Sequence, residues 1–490
     1  MRKALSERSS LAKLSHRSFE QPRPYRVRRL RSGSVRATWI FIPTREPVPM
    51  RERTRRDLLR VAGGVGVAGL AGCSSLGDNS PPGGDSPAAG AGPTFDDVEL
   101  PLDLAARPQS SDGLASQFRQ GLRNHGHVDA TIPETVEVRW SVPANRGEHS
   151  ASKGSPMQTP SGDILVADDT GRIQSIAVDG TTNWATNLSD AKWGSHGTPA
   201  VAEGSAYVGT YDGVVSAVSV ASGEIEWQTD IGDAAAASPT YHDGTLYVAV
   251  EFSPPSGAAV ALDAESGEEV WRDGRPTDHP HSTVAVDLDR DRFLFGANDG
   301  RVYAWSFADR ERAWTFDTGG DVKAPIAVSR GIAVVPSWAG TVTAVDVTDG
   351  AGLWSFETDE SVSPSDEPDP IRTGGVMCAP AVHDGTVYVG SHDTNVYAID
   401  LATGEELWST PTDGWITGNV TVTNGHVLVG SYDEHLYALD REDGSVTWAV
   451  EGNGEVTSAP FVTDDGIYYT ERAPEDTDEP GMCYRLAAPE

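Results

Sequence analysis

Lysine is nearly missing from this 490-residue chain: five stand in it, and only Lys153, Lys192 and Lys323 lie beyond residue 73. Acidic residues outnumber basic ones 72 to 38. The first 49 residues hold 12 Lys and Arg against 3 Glu, and residues 50–72 hold 5 against 2, so the remainder holds 21 against 67, a net charge near −46. Such a surface repels nucleic acid and anionic lipid, which excludes nucleic acid as a partner. The acids are spread through turns, which excludes a specific acidic tail. This balance is the adaptation expected in concentrated salt, where screening weakens self-repulsion, and it makes an extreme halophile, of the archaea, the expected source. Long apolar runs are absent as well. The uncharged run from Val61 to Gly72 is too short to span a bilayer. No nucleophile elbow, P-loop or zinc-protease motif occurs, so the sequence supplies no catalytic constellation.

What the chain does have is a repeated phrase. AIDLATGEELW at 398–408 ends in a tryptophan four positions after a glycine, and the spacing returns at Gly180/Trp184, Gly223/Trp227, Gly267/Trp271, Gly350/Trp354 and Gly444/Trp448. A seventh copy, ADRERAW, ends at Trp314 with Arg310 at the glycine position, where the turn is expected to be built differently. Successive tryptophans from Trp184 stand 43, 44, 43, 40, 54 and 40 residues apart, the period of a four-stranded propeller blade. Within each period, alternating apolar residues punctuated by turn clusters read as four short antiparallel strands. The glycine supplies the positive φ of the last hairpin turn. The tryptophan falls in the outermost strand, a structural ring wedged between blades and burying roughly 150–250 Å².

The ends of the array decide its closure. Trp140, in ETVEVRWSVP, is an outer-strand tryptophan with no glycine turn before it, while the last unit stops before any GxxxW. The expected fold is all-β: an eight-bladed β-propeller over residues 134–490, its four-stranded antiparallel blades closed by an N-terminal strand near 134–142. Units begin near Ser155, Thr198, Ser238, Thr283, Ala324, Ala379, Gly418 and Ser458. Cys378 and Cys483 fall in blades six and eight, too far apart for a disulfide, and are expected unpaired and buried.

These ALDxxTGxxxW-like repeats resemble the PQQ-type repeat of the quinoprotein dehydrogenase-like eight-bladed propellers. The same repeat is similar to that of non-enzymatic propellers, including the lipid-anchored assembly lipoprotein of bacterial outer membranes, so the resemblance speaks for fold more than for activity. FRQGLRNHGHVDATIPETVEVRW (118–140) also resembles the lead-in to such repeats. Leu114, Phe118 and Leu122 at i, i+4 spacing predict a short helix within 111–133, stopped at Gly126.

The front of the chain has another character. RERTRRDLLRVAGGVGVAGLAGC (51–73) carries a basic segment, an uncharged run and a cysteine, the layout of an export signal. Arg55 and Arg56 are similar to a twin-arginine pair, and LAGC resembles a lipobox, which implies cleavage before Cys73 and a lipid on its thiol. Residues 50–72 are then the signal peptide, 73–110 a flexible linker rich in Gly, Pro, Ser and Asp, and 1–49 a mis-assigned or processed extension ahead of Met50. GVGVAG (64–69) matches a dinucleotide-binding pattern but belongs to the signal core and implies no cofactor. The expected location is the cell membrane, lipid-anchored on its outer side.

A functional site is expected where the long connections gather. In a propeller, the loops from outer to next inner strand and from second to third strand emerge on one face, and EFSPPSG (251–257), 357–375 and 471–481 all fall there. Trp193, His196, His281, Lys323, Met377 and Trp415 precede inner strands on that face and are the candidate funnel residues. The sequence assigns no metal site: HPH (His279, His281) is an i, i+2 pair with no nearby third ligand, and DLDRDRF (287–293) mimics the start of a calcium loop without its glycine or glutamate. Asn187 lies in a glycosylation sequon on an expected surface loop. Two functions follow. One is a binding scaffold holding a protein or small ligand on the looped face, with no cofactor. The other, implied by the resemblance, is a dehydrogenase oxidising an alcohol or sugar with PQQ and calcium in the funnel; against it, the chain has no adjacent cysteine pair and no aspartate that matches a catalytic one.

Overall fold

Every tryptophan period forms one four-stranded antiparallel sheet. In this computed structural model, which describes residues 27–29, 114–146, 154–359, 375–474 and 477–490, eight such sheets follow one another. Blades one to seven span 157–187, 200–230, 240–273, 285–317, 327–357, 381–411 and 421–451. Blade eight combines Phe461–Thr463, Gly466–Thr470 and Met482–Ala487 with the outer strand Glu137–Pro143. The N-terminal strand therefore closes the ring as expected, Ser141 facing Tyr484 and Val142 facing Cys483. A further strand, Val27–Arg29, runs antiparallel along the outer strand of blade seven. Arg55, Arg56 and Cys73, with the linker, lie outside the described residues.

Blade six illustrates the local logic. Its middle strands Thr386–Gly390 and Asn395–Asp400 bury their apolar residues on both faces, while the outer strand Glu406–Pro411 is largely exposed. At the last turn the Asp400 carboxylate accepts the N–H groups of Ala402 and Thr403 at 3.0 and 2.8 Å. Gly404 follows at φ +75° with its N–H on Asp400 O at 2.9 Å, and a register shift between Ala398 and Ile399 marks the bulge, the build of a four-residue hairpin loop.

The glycine also serves the neighbouring blade. A methyl added to Gly404 would lie 2.8 Å from Cδ2 of Trp354, the tryptophan one blade earlier, and the Trp354 indole N–H donates to Leu401 O at 2.8 Å. The same pairing joins Trp140 to Gly180, Trp184 to Gly223, Trp227 to Gly267, Trp314 to Gly350 and Trp408 to Gly444. Each of these indoles also bonds a carbonyl of the next blade, from Trp140 to Val178 O at 2.9 Å through Trp408 to Arg441 O at 3.2 Å. Trp448 donates to Pro133 O at 3.1 Å, so the segment that leads into the closing strand completes this circuit.

The expectation for Arg310 needs correction. Its backbone makes the same turn, at φ +61° with its N–H on Ser306 O at 3.0 Å. What differs is the side chain, whose guanidinium lies 6.0 Å from the centre of the Tyr247 ring in blade three. Trp271 instead meets Phe293 and Trp305 edge-on at 5.7 and 6.3 Å, and Trp305 Nε1 donates back to Asp273 of blade three at 2.8 Å.

Hydroxyls tie the inner strands together. Ala459 N–H donates to Ser155, Ser155 N–H to Thr198, Thr198 N–H to Ser238 and Ser238 N–H to Thr283, at 2.9–3.3 Å. Cys378 and Cys483 are free and buried, and burial pushes the Cys378 thiol up to about 11.

The segment before the ring is not the expected helix. Leu114–Ser116 pairs with the innermost strand of blade two, and among the described residues of this segment the only helical stretch is a single 3-10 turn, Phe118–Gln120. The chain then runs along the inner strands of several blades: Leu122, Arg123, His125 and Gly126 each accept, through their carbonyls, the N–H of Val286, Val328, Val382 and Val422 in turn, at 2.7–2.9 Å. Arg119, Gln120 and Asn124 take positive φ to make this path. The i, i+4 apolar spacing misled because the backbone partners lie in other blades rather than one helical turn away.

Candidate functional site

Outer-to-inner and second-to-third strand connections converge at one end of the ring around a cavity of about 580 Å³, with Phe118 of the threaded segment among its lining residues. Two arginines fasten that segment. Buried Arg119 donates to Ala379 O and Pro380 O at 3.1 and 2.7 Å, and burial draws its guanidinium down to about 10. Arg123 reaches Asp287 and Asp289 at 2.8 and 2.7 Å. Two of the calcium-loop-like aspartates are thus occupied in holding Arg123, and the third, Asp291, accepts from Ser306 Oγ and the Ala308 N–H at 2.7 Å each.

Of the six funnel candidates, Trp193, His196, His281, Lys323 and Met377 line the cavity. Trp193 and His196 belong to one aromatic group with Tyr211, whose ring stands edge-on to both at 5.5 and 4.8 Å. Tyr211 Oη lies 3.3 Å from His196 Nδ1, and burial raises the Tyr211 phenol. Opposite in character, Lys323 Nζ lies 3.4 Å from the centre of the Trp338 ring, a cation–π contact, and 3.7 Å from Asp321. Burial lowers its ammonium pKa. Trp415 is not among the lining residues; it stacks on buried His392 at 5.3 Å, and burial draws that imidazole down to about 4.

The cavity also contains groups that the sequence reading passed over. EFSPPSG, read as a loop, is a hairpin extension: the middle strands of blade three, Thr245–Phe252 and Ser256–Asp263, run eight residues each. This carries Glu251 to His279 and His281, whose nearest approaches to its carboxylate are 3.9 and 2.8 Å. Tyr211 and Trp338 come likewise from second-to-third strand connections. The loop at 360–374 lies outside the described residues.

A family model described as outer membrane protein assembly factor BamB matches residues 124–273, 255–377 and 339–469, together well over half of the chain. The chain belongs to this BamB-type PQQ-like repeat family. BamB of Nitrosomonas eutropha is 29% identical over 184 residues, 37% of this chain and 41% of that relative, so the match spans less than half of the relative's length. The crystal structure of BamB from Moraxella catarrhalis superposes with a TM-score of 0.56 at 17% identity, covering 72% of this chain and all of that one. Quinohemoprotein alcohol dehydrogenase of Comamonas testosteroni is 27% identical over 186 residues, 37% of this chain and 25% of the enzyme. Its crystal structure superposes with a TM-score of 0.63 at 13% identity, over 78% and 82% of the two chains. Likeness at these structural identities speaks for fold alone.

The described lining of this BamB-type cavity does not suit the quinone and calcium pair of the dehydrogenase resemblance. A quinone bearing several carboxylates calls for cationic partners, yet the lining holds Lys323 and no arginine, beside the anions Asp233 and Glu251. Calcium takes six to eight oxygen ligands, whereas Glu251 is flanked by two imidazoles.

Proposed function

We propose that this BamB-type propeller is a binding scaffold, exported under the twin-arginine-like segment around Arg55 and Arg56, tethered to the outside of the cell membrane through Cys73, and holding a protein or small ligand on its looped face. The observation that carries this reading is the funnel itself. Its wall combines exposed Trp193, at 37%, with His196, Lys323 and Met377, an aromatic and polar mixture suited to recognition on a rigid frame. Kinship to proteins named as assembly factors supports a protein as the ligand. The large acidic excess supports a halophilic setting in which short-range contacts replace screened long-range attraction.

The test uses membranes of the source organism in high salt. Crosslinking from the looped face is expected to recover a defined partner, and Trp193→Ala with Lys323→Ala is expected to abolish its recovery while the protein stays folded. Mixing purified protein with PQQ and calcium is expected to give neither a bound chromophore nor dye-linked alcohol or sugar oxidation. Appearance of both would overturn the scaffold reading in favour of the dehydrogenase.

A further inference from the structure

We infer that Glu251, His279 and His281 form a binding site for a divalent transition-metal ion on the funnel wall. One ligand atom from each lies within 4.8 Å of the others. Donors held at about 2.0–2.2 Å from one zinc-sized ion stand about 3–4 Å apart, so modest side-chain rotations bring all three to a common centre.

His279 is arranged for this. Its Nε2 lies 2.9 Å from the Phe252 carbonyl, an oxygen that only accepts, so Nε2 carries the proton and Nδ1 turns its lone pair toward Glu251. A second ring nitrogen bonded to a backbone carbonyl is the usual support of a metal-bound histidine. Glu251 is fixed in place too: its N–H donates to Ala234 O, and its carbonyl accepts from Asp233 and Ala234, at 2.9–3.2 Å. The side chain is buried, and Oε1 receives no hydrogen bond from the described residues, although His281 Nδ1 approaches to 2.8 Å. That close approach without donor alignment suits two lone pairs directed at a third atom. Pro280, between the two histidines, fixes its own φ and packs on Gly257, where a methyl would lie 2.5 Å from the proline ring.

Two nitrogens and a carboxylate favour Zn²⁺, Co²⁺ or Cu²⁺ over Ca²⁺ and Mg²⁺. Three protein donors leave a coordination position open, and all three residues line the cavity, so the ion offers an anchor for a donor atom of an incoming ligand. The site stands independently of the scaffold reading, because the metal alone reports on it.

The full chain, freed of metal and held in high salt, is titrated with Co²⁺ and watched in the visible range. One Co²⁺ per chain is expected, displaced by Zn²⁺ and unaffected by excess Ca²⁺ or Mg²⁺. Glu251→Gln and His281→Ala are each expected to weaken binding by more than about tenfold, while His435→Ala, in blade seven and away from the cavity, leaves it unchanged. On the unmutated protein, bound Cu²⁺ is expected to display imidazole nitrogen hyperfine coupling. Displacement by Ca²⁺, equal binding in the triad variants, or Cu²⁺ without nitrogen coupling would overturn the site.

Discussion

The seam between blades five and six and the seam between blades three and four solve one problem in two ways. At the first, Trp354 lies on Gly404 and donates to Leu401 O. At the second, Arg310 takes the glycine's positive φ but not its emptiness, and contact passes inward to Trp305 and Asp273. The contrast separates two properties of one residue. The turn tolerates a side chain; the neighbouring indole does not. A repeated glycine in such an array thus reports on the blade before it as much as on its own hairpin.

Substitutions can break or sharpen that contrast. Trp354→Ala, which empties a buried site, is expected to cost about 3–5 kcal/mol in denaturant unfolding, whereas Trp271→Ala, partly exposed at the arginine seam, costs about half as much; equal losses would mean that the glycine contact contributes nothing. A third kind of seam, between blades seven and eight, is built on buried Glu471, which accepts from Tyr484, Asn453, Gly454 and Met482 at 2.9–3.3 Å. Burial nevertheless pushes its carboxyl up to about 7. The folded state then binds the proton more tightly than the unfolded chain. Stability is greatest below the ordinary carboxylate pKa and falls as pH rises toward 7, by on the order of 3 kcal/mol from this group. Unfolding midpoints measured from pH 4.5 to 8 at constant salt are expected to lose that fall in Glu471→Gln, and an unchanged slope would count against this assignment.

Smaller effects test the arginine seam itself. Asp273→Ala removes the acceptor of Trp305 Nε1 and leaves a buried donor, an expected loss of about 1–3 kcal/mol. Arg310→Gly relieves the backbone but frees the unfolded chain, so a change under about 1 kcal/mol is expected; a large gain would indicate that Trp271 swings onto the new glycine and restores the common lock.

Legibility in the sequence followed the range of the interactions. The blade count and the closing role of Trp140 were readable because each repeat writes the same local rule, a turn glycine and a ring four residues on. The partner of that glycine, one blade back, was not. The thread at 114–128 read as a helix because its bonds go to Val286, Val328, Val382 and Val422, which nothing nearby in sequence announces. Five funnel residues could be placed from strand order alone. Glu251 could not, because only the lengthened hairpin of blade three brings it to His279 and His281. Trp415 shares the same connection type but turns to His392, a stacking preference invisible to strand counting.

Trp448 and Pro133, which meet at the closing blade, are 315 residues apart in the chain. The lead-in to the closing strand must therefore wait until blade seven has been made before either is satisfied, and closing so distant a contact is slow. Until then the unfinished stack presents bare strand edges to its surroundings, so the interval between synthesis and ring closure is when this molecule is most open to mispairing.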